Sequence, residues 1–352
     1  MRWLLRSLVV VLLLAGGGAF ALRTLDQPYQ GFTTPEVFVD IPQGTGVAAI
    51  GHRLVEAGVI KNDWAFRYAV WRRGAARTLK AGEYRFAGES RASAVVDHLV
   101  AGDVVLRPIT FREGLTIAEM AEHFEASGLG AKATFIGAAG HGALVVDVDA
   151  AAGDLEGYLF PETYNLPHDA TAGQLVEQMA KRFLAIYDQG LRDRARARNL
   201  TTRQVVTIAS LIEKETSRPE ERPLVSAVYQ NRMRIGMGMQ CDPTVIYALQ
   251  RAGLWRGNLT RDNLMFDSPY NTYRYRGLPP GPIAAPGRAS LEAAVAPAEV
   301  PYIYFVSRND GTHVFASSLE EHNRNVHQFQ VQYFRDQRAR PGAAIGPGGR
   351  PR

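Results

Sequence analysis

Residues 207–223 read TIASLIEKETSRPEERP, and the interpretation of this stretch organises the second half of the chain. Apolar residues recur at helical spacing through Ile208, Leu211 and Ile212, four glutamates follow within nine positions, and Pro219 stops any continuous helix. The spacing therefore predicts one helix over 202–216 and a second over 220–235.

On the first of these helices, Glu213 and Glu215 stand two residues apart and point about 200° away from each other. Glu215 follows Ile208, Leu211 and Ile212 at i−7, i−4 and i−3, so its side chain runs along the apolar stripe. Glu213 follows Val206, Ala209 and Ser210, a smaller and more polar surround. A carboxylate among aliphatic side chains loses solvation of its charged form, which raises its pKa toward the range useful to a general acid. Glu215 is thus the candidate catalytic residue and Glu213 its internal control. The competing reading makes Glu215 a buried acid paired with Arg222 or Arg232. Glu220 and Glu221, past Pro219, are expected to act in the first turn of the next helix, where negative charge complements the helix dipole.

Downstream, RMRIGMGMQCDPTVIY and DSPYNTYRYRGLPPGPIAAPG bring Gln240, Asp242, Tyr270, Asn271, Thr272, Tyr273 and Tyr275 onto loop segments. Aromatic faces interleaved with amides and hydroxyls suit a polyhydroxylated ligand: rings stack on sugar C–H faces while amides bond to hydroxyl and acetamido groups.

Outward from this centre, helices are expected from Ala172 to about Arg198, at 243–251 and at 289–296. A terminal hairpin is expected across NDG (309–311), with a closing helix after it. Residues 37–111 alternate strand and helix patterns as one small α+β module, and TIAEMAEHFEASG opens with a Thr cap and a Glu three residues on. The expected division is an N-terminal anchor (1–23), a linker (24–35), the module (36–111), a largely helical domain (112–334) and a disordered Gly/Pro/Arg-rich tail (335–352).

The net charge of +5 is concentrated at the ends: +3 in residues 1–23 and +4 in residues 335–352, leaving −2 between them. That distribution argues against nucleic acid as a partner. Two arginines precede an uncharged run from Ser7 to Leu22, an export signal that places the rest of the chain outside the cytoplasm. AFA at 19–21 resembles a cleavage site, whereas the run's length approaches that needed to span a bilayer of roughly 30 Å, which favours a retained anchor. The single cysteine, Cys241, excludes an internal disulfide framework and is expected to be a buried small residue. GTGVAA (44–49) imitates a dinucleotide fingerprint but lacks the repeated βαβ context, so it reads as a turn into a helix and no cofactor is expected. The eight histidines show no metal-ligand spacing, even at His313, His322 and His327, and no metal is expected.

ASLIEKET (209–216), ERPLVSAVYQNRMRIGMGMQCDPTVIYAL (221–249), YNTYRYRGLPPGPIAAPG (270–287) and PYIYFVSRNDGTHVFASS (301–318), in this order, resemble the YceG/MltG-like family of endolytic murein transglycosylases. KAGEYRF (80–86), FREGLTIAEMAE (111–122) and LEGYLFPETY (155–164) fit the same family, so the resemblance runs from about residue 36 to 334. It implies an α+β chain with a single-pass inner-membrane helix, a LysM-like module and a lysozyme-like catalytic domain on the periplasmic side. It also implies cleavage of the β-1,4 bond between N-acetylmuramic acid and N-acetylglucosamine in nascent peptidoglycan, leaving 1,6-anhydromuramoyl ends and limiting strand elongation. The family's catalytic glutamate falls on Glu215, and the implied partners are peptidoglycan strands, peptidoglycan synthases and the elongation or division machinery. Cys241 departs from the small hydroxyl residue expected there. Two rivals remain open: a hydrolytic muramidase using Asp242 or Glu162 as a second acid, and a non-catalytic peptidoglycan-binding scaffold.

Overall fold

The computed structural model describes residues 26–339. The expected anchor at 1–23 lies outside the described residues, and among those described no helix is long and apolar enough to cross a membrane. The described chain is a mixed α+β structure in two compact units. One runs to Pro108 and takes back Asn165–Ala170; the other comprises Ile109–Tyr164 and the chain from Thr171.

In the first unit, β1 (Val37–Ile41) pairs antiparallel with β2 (Gly82–Phe86), Val37 opposite Phe86 and Ile41 opposite Gly82. Alternation turns Val39, Ile41, Tyr84 and Phe86 inward. They meet Leu54 of α1 (Val47–Glu56), Phe66 and Val70 of α2 (Asp63–Arg73), and Val95 and Leu99 of α3 (Ala92–Ala101) in one core. GTGVAA is the turn into α1. Helix α2 starts on Asn62, whose side chain accepts the Ala65 N–H, and ends on Gly74 at φ 67°, a left-handed residue that only glycine adopts without penalty.

The chain passes between units within β3 (Arg107–Thr110) and within β4 (Thr163–Leu166). The second unit begins with α4 (Ile117–Ala126), on the expected Thr116/Glu119 capping box, and α5 (Lys132–Ala139). The helix expected from Ala172 to Arg198 is two helices, α6 (Ala172–Ile186) and α7 (Gln189–Ala197). The break follows from local chemistry. Tyr187 is fully buried against Phe183, and Asp188 accepts the Leu191 N–H as a new N-cap.

Helix α8 (Thr202–Glu215) is the centre of this unit, with Val205, Val206, Ile208, Ala209, Leu211 and Ile212 all fully buried. Each such branched aliphatic side chain contributes roughly 1.5–3 kcal/mol of burial. A Thr201/Gln204 capping box starts it, and Thr216, extended at φ −139°, ends it. Around α8 pack α9 (Arg222–Arg234), α10 (Asp242–Arg251) and α11 (Arg288–Val295). The terminal hairpin forms as expected: β5 (Tyr304–Ser307) pairs with β6 (His313–Ala316). After it come α12 (Leu319–Val326), a π-helical stretch over His327–Gln332, and α13 (Tyr333–Ala339). The last helix therefore includes residues 335–339, which the sequence assigned to a disordered tail; the remaining tail lies outside the described residues.

Candidate functional site

The last turn of α8 presents its two glutamates to different surroundings. Glu213 is tied down: its Oε1 accepts from Arg222 at 3.2 Å and its Oε2 from the Gly287 N–H at 3.0 Å. Glu113 approaches the same arginine at 3.8 Å, and its carboxylate lies against Gly287, where a Cβ would make it shift. Burial, with the charge of Glu213 beside it, holds the Glu113 carboxyl above its usual range.

Glu215 has no cationic partner of this kind. Arg222 is committed to Glu213, and Arg232 donates to the carbonyls of Ile303 and Met239 at 2.6 and 2.5 Å. The ion pair offered as the alternative for Glu215 is absent among the described residues. Instead, Glu215 Oε2 accepts from Tyr229 Oη at 3.3 Å and lies 3.6 Å from Cys241 Sγ. No protein donor reaches Oε1 among the described residues. Glu215 is half-buried rather than sealed. Burial pushes its carboxyl above the usual range; the neighbouring His313 opposes this, the charge of Asp242 adds to it, and the bonds from Cys241 and Tyr229 oppose it.

The groups around Glu215 come from separate elements. Tyr229 is fully buried on α9 and its hydroxyl is held strongly neutral by burial. Cys241 is buried, as expected, and burial pushes its thiol well above the ordinary range, which makes it a weak donor and no nucleophile. Asp242, at the first position of α10, accepts from Tyr273 Oη at 2.6 Å. His313, at the start of β6, is gripped by Glu221: its backbone N–H donates to Oε1 at 2.7 Å and its Nδ1 lies 2.7 Å from Oε2. Thr216 Oγ1 donates to the same carboxylate at 2.9 Å. Burial works against charge on Glu221, but these bonds outweigh it and hold its carboxyl below the usual range.

Glu221 is thus a correction. It occupies the N-cap position of α9, but its side chain makes no capping bond and turns to His313 instead. Neither His313 nor Tyr229 was singled out at this site from sequence. His313 lies 92 residues from Glu221, beyond the reach of any local pattern.

The remaining sequence candidates separate. Gln240, exposed and left-handed at φ 50°, directs its N–H to the Thr272 carbonyl at 3.3 Å, while its side-chain amide makes no bond among the described residues. Asn271 is fully buried and its amide is spent: Nδ2 donates to the Leu264 and Phe266 carbonyls at 2.9 and 2.8 Å, and Oδ1 accepts from the Tyr273 N–H at 3.0 Å. It shapes the loop that presents Tyr273, which is 38% exposed. Tyr270 packs at 5.0 Å on Tyr247, beneath Arg251. Thr272 accepts the Cys241 N–H at 3.0 Å and bonds to Thr244, fixing the strand of chain that carries Cys241 and Asp242. Tyr275 donates to Asp267 on the surface. Glu162, the other possible second acid, is clamped by Arg182 at 2.7 and 2.9 Å.

A cavity of about 470 Å³ lies at the N-terminal end of α8, lined by Thr201, Arg203, Thr207, Met233 and Pro279 among others. Its nearest lining residue on the helix, Thr207, is eight residues, or roughly 12 Å along the axis, from Glu215. Its one cation, Arg203, is paired with Asp149. No three His, Cys, Asp or Glu side chains among the described residues converge as metal ligands.

This geometry meets three comparisons with known proteins. The YceG-like family model matches residues 39–328. A Bacillus subtilis (strain 168) protein named endolytic murein transglycosylase is 32% identical over 326 residues, 88% of this chain and 89% of that protein. A Streptococcus pneumoniae (serotype 2, strain D39 / NCTC 7466) protein of the same name is 32% identical over 356 residues, covering 91% of this chain and 63% of the longer relative. The crystal structure of a putative yceG-like protein from Listeria monocytogenes superposes with a TM-score of 0.56 at 30% identity, over 82% of this chain and 98% of that one. With its match spanning the first unit and the Glu215 site alike, the chain belongs to the YceG-like family.

Proposed function

We propose that the chain is an endolytic murein transglycosylase, a lyase acting on peptidoglycan, with Glu215 as its acid and base. One observation carries the reading: a carboxyl raised by burial, reachable from solvent, without a cationic partner, whose two protein donors both meet Oε2. Oε1 is then the oxygen that exchanges the proton. Protonated Glu215 donates to the glycosidic oxygen, and the substrate's acetamido group supports the developing positive charge. The ionised carboxylate, stabilised by Tyr229 and Cys241, next takes the proton from the muramoyl C6 hydroxyl, which closes onto C1. The nucleophile belongs to the substrate, so no second enzymic carboxylate is required.

Within this reading Asp242 keeps Glu215 protonated and offers negative charge to an oxocarbenium-like centre, oriented by Tyr273. Gln240, with its unbonded amide, and Tyr273, with its exposed ring, are the glycan contacts; Asn271 and Tyr270 act by holding the loops. The first unit is assigned a LysM-like, glycan-binding role. The N-terminal segment is assigned as the inner-membrane anchor that keeps the catalytic unit at the periplasmic face, near peptidoglycan synthases and the elongation or division machinery.

A second reading has one observation in its favour: Asp242 is close enough to raise the Glu215 carboxyl, so it could activate water. Mass spectrometry of uncrosslinked glycan strands incubated with the purified chain separates the two. Anhydro ends formed by wild type and Glu213→Gln but not by Glu215→Gln are expected. Reducing ends would assign a hydrolase, and binding without cleavage would leave a scaffold.

A further inference from the structure

Helix α2 of the first unit is apolar on both sides. Its inner side supplies Ala65, Phe66, Ala69 and Val70 to the core. Its outer side carries Trp64, Tyr68 and Trp71 at i, i+4 and i+7, and the two tryptophans are 66% and 75% exposed. Singly exposed apolar residues are ordinary, but two tryptophans on one helical stripe are not. The stripe is continuous: Arg67 lies 4.8 Å over the Trp64 ring, and the Tyr68 and Trp71 rings are 5.9 Å apart.

The charge around the stripe is positive. Arg67 and Arg73 have partial partners in Asp63 and Asp97 at 3.8 and 3.1 Å, whereas Arg72 and Arg77 make no ion pair or hydrogen bond among the described residues. A sugar platform needs amides, hydroxyls or carboxylates around its rings to bond with sugar hydroxyls. Here the Asn62 side chain is consumed as the cap of α2 and the Asp63 and Asp97 carboxylates face Arg67 and Arg73, so aromatic rings and guanidinium groups predominate beside the Tyr68 hydroxyl. That combination is the one enriched where protein meets an anionic lipid surface.

The position of the stripe adds an independent argument. Asp26 is fixed to the start of α3: its carboxylate accepts the Ser93 N–H at 2.9 Å and the Ser93 hydroxyl at 2.7 Å. One helical turn further along α3, about 5.4 Å, stands Asp97, which holds Arg73 at the end of α2. In the sequence the apolar run ends at Leu22, four residues before Asp26. The described chain therefore begins on the same helix, α3, whose Asp97 holds the C-terminal end of α2.

We infer that the outer face of α2, formed by Trp64, Arg67, Tyr68, Trp71 and Arg72, lies in the headgroup layer of the anionic bilayer entered by the N-terminal segment. The helix is a second, peripheral membrane contact that restrains the first unit against the bilayer. The inference uses the apolar run at 7–22 as a membrane segment and is independent of the reaction at Glu215.

The test uses the full chain carrying Trp3→Phe and Trp255→Phe, so that of the four tryptophans only Trp64 and Trp71 emit. It is reconstituted in phosphatidylethanolamine/phosphatidylglycerol vesicles whose acyl chains are brominated near the headgroup, and vesicle flotation is measured alongside. Emission is expected to fall at least about two-fold relative to unbrominated vesicles, as for indoles at the interface. Adding Arg72→Glu and Arg77→Glu is expected to restore most of it. Floating protein with unquenched emission would overturn the inference, as would failure to float. A spectral change seen only on adding isolated glycan strands would reassign the face to sugar binding.

Discussion

The two sides of the last turn of α8 carry the same residue type and differ in what surrounds it. On one side Glu213 meets Arg222 and the Gly287 N–H, so its charge is matched and its oxygens are occupied. On the other side Glu215 meets neutral donors and a second acid, its charged form is disfavoured, and one oxygen remains open. The comparison shows that the state of a desolvated carboxylate is set by what is withheld from it as much as by what it meets. A compensating cation turns the same residue into structure.

The sharpest way to break this comparison is to remove each acid's proton chemistry in turn. Glu215→Gln is expected to lower strand cleavage by about 10³-fold or more, within the range of general acid–base catalysis, while leaving the fold intact. Glu213→Gln is expected to keep most activity per folded molecule. Equal losses in initial rates of anhydro-end formation would erase the distinction.

The converse experiment removes the cation. Arg222→Met leaves Glu213 buried beside only a backbone donor, and is expected to destabilise the protein by about 3–5 kcal/mol in denaturant unfolding. A loss below about 1 kcal/mol, the level of an exposed ion pair, would mean that the Glu213 side is not sealed.

Glu156 sharpens the point, because a raised carboxyl is not sufficient for catalysis. It is sealed, it accepts the Ile117 N–H at the start of α4 and the Tyr247 hydroxyl, and burial pushes it up to about 8. Its folded pKa exceeds its unfolded value, so its contribution is fully present below about 4.5 and is lost as pH rises through about 8. Wild-type stability is therefore expected to fall by on the order of 5 kcal/mol across that window from this group alone, and Glu156→Gln should remove that slope. Identical stability–pH curves for the two proteins would refute the assignment.

The smallest effects come from the charges that tune Glu215. Acid catalysis fails as Glu215 loses its proton, so the alkaline limb of the rate profile follows its pKa. Asp242→Asn removes a raising influence and is expected to move that limb to lower pH; His313→Asn removes a lowering influence and is expected to move it upward. Rate changes of only a few-fold at a fixed pH on the limb are expected. Shifts in the same direction would show that the two side chains act through the fold rather than through charge.

Much of the fold was legible locally. The strand alternation of β1 and β2, the capping boxes at Thr116 and Thr201, the helices on either side of Pro219 and the hairpin turn all rest on patterns within a few residues. The break at Tyr187–Asp188 was missed because α6 and α7 continue one helical periodicity, and the burial of Tyr187 against Phe183 became evident only in the structure. Residue types alone suggested Asn271 as a ligand contact. Its amide is committed to three backbone groups of its own loop, which no composition reveals.

Sequence by itself determined that Glu213 and Glu215 diverge, because helical periodicity is a property of consecutive residues, and it determined which of them follows the aliphatic stripe. It did not determine what each acid would meet. Arg222 was offered to Glu215 and went to Glu213; Glu221 was offered to a helix dipole and went to His313, 92 residues away. Charge compensation and desolvation depend on atoms brought within a few ångströms by packing, and only the tertiary structure assigned those neighbours.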